Sequence, residues 1–279
     1  MIVYFNDRFM PKEEVRISPD DRGFLFGDGV YDVVRVYEGR LFRMESHLRR
    51  MARSLRELRI QGPDLDQIEG VAQELLRRNE LEDGDAKLYV QITRGVAPRR
   101  HTFPDPETDP TVYACASPFQ PYHEQWERGV TVTLMPDIRW ARCDIKAVAL
   151  LPNLLASQRA KERGAYEAVF IRDGAITEGS HTNFCAVFGG ELVTYPKCHY
   201  ILAGIMREVV LELCGELGIP VREFPVMEGE LREADELMVT GTTSEVMPVV
   251  QVDGWTVGDG KPGPVTRKLQ RAFRELTQS

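Results

Sequence analysis

The sequence predicts a mixed α/β protein built from two domains. Its 279 residues are 43% apolar and 28% charged, the balance of an ordinary globular chain. Runs with period-two alternation recur among runs with helical spacing from one end to the other. A stretch with two prolines and no clear period, Pro118 to His123, interrupts the pattern near the middle. The length suits one large domain or two smaller ones. Composition favours two, with residues 1–117 as an N-terminal α/β domain, 118–126 as a linker and 127–279 as a C-terminal α/β domain.

Each element has its local reason. Val30 to Tyr37 is β-branched and aromatic, and Glu38-Gly39 turns it into Leu41-Phe42 as a hairpin. Leu48, Met51, Leu55 and Leu58 recur at helical spacing, as do Leu65, Ile68, Ala72, Leu75 and Leu76 after the Gly62-Pro63 break. Lys87 to Thr93 and Thr111 to Ala116 read as strands. Past the linker, Val130 to Leu134 alternates like a strand, and Leu154 to Arg163 reads as a helix stopped by Gly164. Asp173-Gly174 and Asp253-Gly254 are hairpin turns. Between them, Ile205 to Leu217 is a helix with Ile205, Val209, Leu213 and Leu217 on one face, and Leu237 to Thr240 is a short strand. No internal repeat is present.

Composition also excludes functions. Thirty-five basic and 43 acidic residues leave a net charge of -8, so binding nucleic acid would need a local basic patch, and no long one exists. No apolar run approaches the roughly 20 residues that span a bilayer, and the N-terminus lacks the pattern of a signal peptide. A cytoplasmic protein with no membrane partner is expected. The five cysteines are scattered without a C-x-x-C pair, which argues for reduced thiols rather than disulfides or zinc. Gly27-Asp-Gly29 has Asp32 where a dinucleotide fingerprint needs its third glycine, and Gly260-Lys261 is followed by Pro262 rather than the Ser or Thr of a P-loop. No histidine pair has metal-ligand spacing, so no metal is expected.

What remains are polar residues in unusual settings. Lysine is scarce, seven against 28 arginines, and Lys146 stands in Cys143-Asp-Ile-Lys146-Ala-Val-Ala-Leu-Leu. Burial there would favour the neutral amine that forms a Schiff base, while a lysine reaching solvent from a strand end fits the segment as well. Glu178 sits at a turn among small polar residues, where an anionic partner for a pyridine nitrogen or a plain turn residue are both open. Gly204-Ile-Met-Arg207 opens a helix whose free N–H groups suit a phosphate; Thr240 to Ser244 offers hydroxyls at a strand end, and Arg50 a fixed charge. Arg94-Gly-Val-Ala-Pro-Arg99-Arg-His101 is a basic loop suited to a carboxylate, or merely a solvated charge run. Taken together, an amine, a carboxylate, a phosphate cradle and a carboxylate trap compose a site for pyridoxal 5'-phosphate.

In this order the segments resemble the fold-type-IV pyridoxal phosphate enzymes, along essentially the whole chain. Asp21-Arg-Gly-Phe-Leu-Phe-Gly-Asp-Gly-Val-Tyr31, Cys143 to Lys146, Thr177-Glu-Gly-Ser180 with Asn183, Gly204-Ile205 and Thr240 to Glu245 carry the likeness. The resemblance implies that Lys146 is the Schiff-base lysine and Glu178 the partner of the ring nitrogen. It implies that Arg50, Ile205, Met206 and Thr242 hold the phosphate and that Leu202 packs on the ring. Tyr31, Arg99 and His101 match the carboxylate trap of the bacterial D-amino acid aminotransferases, with Arg100 inserted in the trap and Asp32 replacing a glutamate. The resemblance further implies two α/β domains with the cofactor between them, a homodimer, and transamination of D-amino acids with a 2-oxo acid such as 2-oxoglutarate. The alternatives on the same scaffold are a branched-chain L-amino acid or (R)-amine aminotransferase, and, in another class, a binding protein without turnover.

Overall fold

The computed structural model describes residues 1–278, which form two compact units. The first unit comprises Met1–Pro121 with Ile145–Leu150, and the second Tyr122–Asp144 with the chain from Leu151 onward.

The first unit contains β1 (Ile2–Phe5), β2 (Arg8–Pro11), α1 (Arg22–Phe26), β3 (Gly29–Tyr37), β4 (Arg40–Leu41), α2 (Met44–Glu57), α3 (Asp66–Arg78), β5 (Ala86–Thr93) and β6 (Thr111–Pro118). Its strands form an antiparallel sheet in the order β2-β1-β6-β5-β3-β4. Alternation decides which face is buried. Val30, Val34 and Val36 of β3 and Leu88, Val90 and Ile92 of β5 share a core with Met51, Leu55, Ile68 and Leu75 of the two long helices. Asp32 lies on this same buried face, whereas Tyr31 and Tyr89 stack on the other, their ring centroids 5.8 Å apart.

The sheet leaves one edge free, because β4 pairs only with residues 36–37 of β3. Residues 145–150 return to fill part of that edge. Tyr31 N donates to Lys146 O at 3.1 Å, Val148 N donates to Gly29 O at 3.0 Å, and Val30 bridges Ala147. The expectation that 127–279 folds as one unit therefore changes, since this short segment belongs with the first. Its periodicity cannot reveal a partner more than a hundred residues away.

The second unit contains α4 (His123–Arg128), β7 (Val130–Pro136), α5 (Leu151–Glu162), β8 (Glu167–Arg172), β9 (Ala175–Gly179), β10 (Asn183–Phe188), β11 (Glu191–Thr194), α6 (Ile205–Leu217), β12 (Val221–Glu223), β13 (Val226–Met227), β14 (Glu236–Gly241), β15 (Glu245–Val252), β16 (Trp255–Thr256) and α7 (Pro264–Gln278). The 118–126 stretch expected as a linker is shorter than that: Pro118 ends β6 and α4 begins at His123. Trp126 packs against the second core and donates Nε1–H to Ser244 O at 2.8 Å, which draws this end of the stretch into the fold. The sheet runs β12-β11-β10-β14-β15-β7-β8-β9-β13, with β16 on β15, and it closes on itself where β9 pairs with β10. The closing pair is Glu178 and Asn183.

Candidate active site

In the first unit the returning segment places Lys146 beside Tyr31. Val30 and Ala147 bridge toward the core, so their neighbours Tyr31 and Lys146 project to the opposite side. Lys146 Nζ lies 4.5 Å from the centre of the Tyr31 ring, and its backbone N–H donates to Ser54 Oγ of α2 at 3.3 Å. No ion pair engages Nζ among the described residues.

Beneath this edge Asp32 is paired with α2. Arg50 donates from Nε to Oδ2 at 3.0 Å and from Nη2 to Oδ1 at 2.8 Å, and His47 Nδ1 lies 2.8 Å from Oδ1. Burial alone would raise the Asp32 carboxyl, but the Arg50 and His47 partners outweigh it and hold it well below the carboxylate range. Burial lowers the His47 pKa against the opposing pull of Asp32, which favours the neutral ring. Arg50 thus commits two donors to Asp32. His47 was not legible as part of this site; its signal was the three-residue spacing from Arg50, one turn along a helix facing Asp32.

Arg99 and His101 lie on the loop after β5, both exposed. They meet at one ring: Arg99 Cζ is 5.2 Å and the His101 ring 5.8 Å from the centre of Phe26. Arg100 between them is tied through its carbonyl, which accepts from Arg22 Nη1 at 2.8 Å. Among the described residues no hydrogen bond or ring contact joins these two to Tyr31.

In the second unit Glu178 is buried at the closure of the sheet. Its Oε1 accepts from Arg139 Nη1 at 2.5 Å, and its Oε2 accepts from Asn183 Nδ2 at 3.0 Å and from Leu202 N at 2.9 Å. Arg139 is shared with Asp137, which it meets at 2.8 Å. Burial pushes Glu178 up to about 7 despite the opposing pull of Arg139. A second buried cation at this carboxylate would stabilise its charged form, which is what a protonated ring nitrogen supplies. Asp137 and Arg139 were missed in the sequence, although two opposite charges two residues apart after an apolar strand are a readable signal.

Leu202 is bracketed by the same group, its carbonyl accepting from Asn183 Nδ2 at 2.9 Å. Two residues on, Gly204 caps α6 without a side chain, leaving the first-turn N–H groups at Ile205 and Met206 to other partners. A Cβ on Gly204 would overlap Asn183 Oδ1, so only glycine lets the helix start this close. Thr240, paired with Asn183 across β10 and β14, carries a buried Oγ1 with no hydrogen-bond partner. Thr242 lies in the following turn, braced by Ser244, whose Oγ is 2.8 Å from Tyr166 Oη. A bare helix start, an orphaned hydroxyl and a braced hydroxyl turn suit a phosphate. The anion-seeking groups and the buried carboxylate therefore fit pyridoxal phosphate, residue type by residue type. No group of three or more metal-ligating side chains occurs among the described residues, and no helix is long and apolar enough to cross a membrane.

A family model described as amino-transferase class IV matches residues 29–252. The chain is 41% identical to a D-alanine aminotransferase of Staphylococcus haemolyticus over 278 residues, covering 99% of this chain and 98% of that protein. It is also 41% identical to a D-alanine aminotransferase of Bacillus licheniformis, over 98% of this chain and 96% of the relative. Among solved structures, the Escherichia coli branched-chain amino acid aminotransferase aligns with a TM-score of 0.92 at 28% identity, covering 99% of this chain and 94% of that one. A T.th. branched-chain amino acid aminotransferase, solved with pyridoxamine 5'-phosphate, aligns with a TM-score of 0.91 at 26% identity, over 99% and 93%.

Proposed function

The chain belongs to the class IV aminotransferases, pyridoxal-phosphate enzymes of fold type IV, and from that premise we propose that it transfers the amino group of D-amino acids to a 2-oxo acid such as 2-oxoglutarate. The observation that carries the D preference is the near-full-length likeness to D-alanine aminotransferases, set against 28% identity to a branched-chain enzyme of almost the same backbone. Loop chemistry supports it as well, since Arg99 and His101 converge on one ring and present two donors for a carboxylate.

When bound, pyridoxal phosphate supplies a ring that accepts the electron pair left at the substrate α-carbon. Lys146 would hold the cofactor through Nζ and, once released by the incoming amino group, the same amine would move a proton between the substrate α-carbon and the cofactor's C4′ position, in one direction in each half-reaction. Among the described residues no carboxylate pairs with Nζ, so the amine is not tied up as one half of an ion pair. Glu178 offers its carboxylate to the ring nitrogen and stays ionised there with Arg139 and Leu202 N–H behind it. The N–H groups of Ile205 and Met206, the Thr242 hydroxyl and the Arg50 charge would hold the phosphate, and Leu202 would pack on the ring. Tyr31, Arg99 and His101 hold the substrate carboxylate, so the side chain takes the remaining space and one enantiomer turns its α-hydrogen to Lys146.

Two experiments test this. Lys146→Ala should lose the visible absorbance of bound cofactor and nearly all turnover; a variant keeping both removes Lys146 from the mechanism. Initial rates with D- and L-alanine, D- and L-glutamate and L-leucine should favour the D forms, and faster use of the L forms would overturn the preference. We further propose a cytoplasmic homodimer, in keeping with five unpaired cysteines; sedimentation at one protomer mass would refute the dimer.

A further inference from the structure

Beyond the residues that would touch substrate, the first unit contains a network that fixes where Arg99 and His101 stand. Its centre is Asp28, a carboxylate shared by two buried arginines. Arg22 Nε donates to Oδ2 at 2.8 Å, while Arg94 donates from Nε to Oδ2 at 2.7 Å and from Nη2 to Oδ1 at 3.0 Å. Both guanidinium groups are almost fully buried, and each also donates to the backbone. Arg94 donates to the carbonyls of Leu58 and Arg59, and Arg22 donates to the carbonyl of Arg100. The main chain adds stitches between the same segments: Arg94 N to Asp28 O at 3.0 Å, Arg22 N to Gly95 O at 2.9 Å, and a bridge from Asp21 to Val96. At the far end of the loop Phe103 lies under Arg94 and Arg59, at 3.8 and 5.0 Å.

The loop is thus pinned at Arg94, Gly95, Val96, Arg100 and Phe103, and the pin at Arg100 lies between Arg99 and His101. Arg99 and His101 share the ring of Phe26. Arg22 reaches that ring too, with Cζ 4.8 Å from its centre. Phe26 ends the short helix α1 that Arg22 begins, so one element supplies both the anchor for the backbone and the platform for the side chains.

We propose that Phe26 and Arg22 are positioning residues for substrate-carboxylate binding: Phe26 orients Arg99 and His101 through its ring, and Arg22, charged against Asp28, fixes the Arg100 carbonyl between them. This rests on the reading of Arg99 and His101 as the carboxylate clamp. Neither residue touches substrate; both act through the clamp. Arginine suits position 22 because two separate nitrogens of its planar fork, Nε and Nη1, serve Asp28 and the Arg100 carbonyl in a fixed geometry, whereas a lysine would have to reach both from one nitrogen. The ring matters because a guanidinium over an aromatic face is held both in place and in orientation.

The test uses the cofactor-loaded enzyme and propanoate, a carboxylate without an amine, titrated against the visible absorbance of the bound cofactor. Phe26→Leu keeps an apolar side chain and removes the ring; it should raise the propanoate Kd about threefold, the scale of an exposed cation–ring contact. For D-alanine, KM should rise by a similar factor with kcat within about twofold of wild type, the split expected when binding is lost without loss of chemistry. Phe26→Tyr keeps the face and should restore both values. Arg22→Lys should behave like Phe26→Leu, and if that buried replacement fails to fold, Phe26→Leu carries the test alone. In a variant carrying both Arg99→Ala and His101→Ala the Phe26→Leu change should add nothing further, because the ring then has no clamp side chain to orient. A merely structural role would instead lower the thermal midpoint and the cofactor content of the variant together, and that result overturns the proposal. If Arg99→Ala raises the propanoate Kd while Phe26→Leu does not, the platform is wrong and the clamp stands. If Arg99→Ala leaves it unchanged, the clamp reading itself falls, and this inference with it.

Discussion

At Glu178 burial and charge compete, and the balance leaves its carboxyl near 7 rather than at its ordinary 4.5. In the cofactor-free chain the folded state therefore keeps a proton that the unfolded chain releases above about 4.5. Stability from this group is full at low pH and falls as pH rises toward 7, by about 1.4 kcal/mol per pH unit at the steepest. Above 7 both states are ionised and the slope vanishes. Glu178→Gln cannot titrate, so the thermal midpoint of the cofactor-free wild type should fall relative to that of the variant across this window and hold level with it on either side. Parallel curves throughout would show that the proton is held elsewhere. With cofactor bound the same variant tests its proposed role. Glutamine still accepts a hydrogen bond but offers no charge, so cofactor should remain while kcat drops by about two orders of magnitude or more, each factor of ten being about 1.4 kcal/mol of barrier. Unchanged kcat would detach Glu178 from the ring nitrogen. Arg99→Ala tests the clamp, with a loss of about 2 to 5 kcal/mol in kcat/KM for amino acids, the usual cost of removing one partner of a desolvated charge pair. Equal losses for amines lacking a carboxylate would assign the loop a structural role.

At the scale of elements, the start of α6 shows how a short motif becomes a site. Gly204 approaches Asn183 so closely that any side chain forces the two apart, and Asn183 in turn holds both Glu178 and Leu202. Gly204→Ala should therefore weaken the proposed phosphate cradle and the ring partner together, seen as a cofactor Kd raised by about tenfold or more, given about 1.4 kcal/mol per decade. An alanine variant with wild-type cofactor affinity would show that the helix start takes no part in binding. The helix itself, Ile205 to Leu217, was legible in the sequence because its apolar spacing and flanking glycines are local. So were the strand ending at Thr93 and the hairpin at Asp173-Gly174. The short helix α1 was not, since five residues make little more than one turn and carry no periodicity. Nor was its use: Arg22 and Asp28 stood in a quoted motif, but their link to Arg94 and Arg100 is a long-range contact that no spacing encodes.

At the scale of the whole chain, the least legible feature is that Lys146 is carried by a segment whose sequence neighbours, Tyr122–Asp144 and the chain from Leu151, fold into the other unit. Residues 145–150 join the first unit because β3 offers an unpaired edge between Gly29 and Tyr31, and an open row of backbone donors and acceptors attracts any strand that can reach it. Two backbone hydrogen bonds and the Val30–Ala147 bridge hold the segment there, a contribution of about 0.5–1.5 kcal/mol per bond. This makes a prediction for amide exchange. The Tyr31 N–H and the Val148 N–H are donors in opposite directions across the same edge, so they should open together, with one exchange free energy. Leu88→Ala, which removes a fully buried side chain from the first core at a cost of about 2–5 kcal/mol, should lower the protection of both amides in step. Exchange read residue by residue by NMR decides the matter. If Val148 keeps its protection while Tyr31 loses it, the segment is held by its sequence neighbours, and the edge of β3 does not fix the lysine.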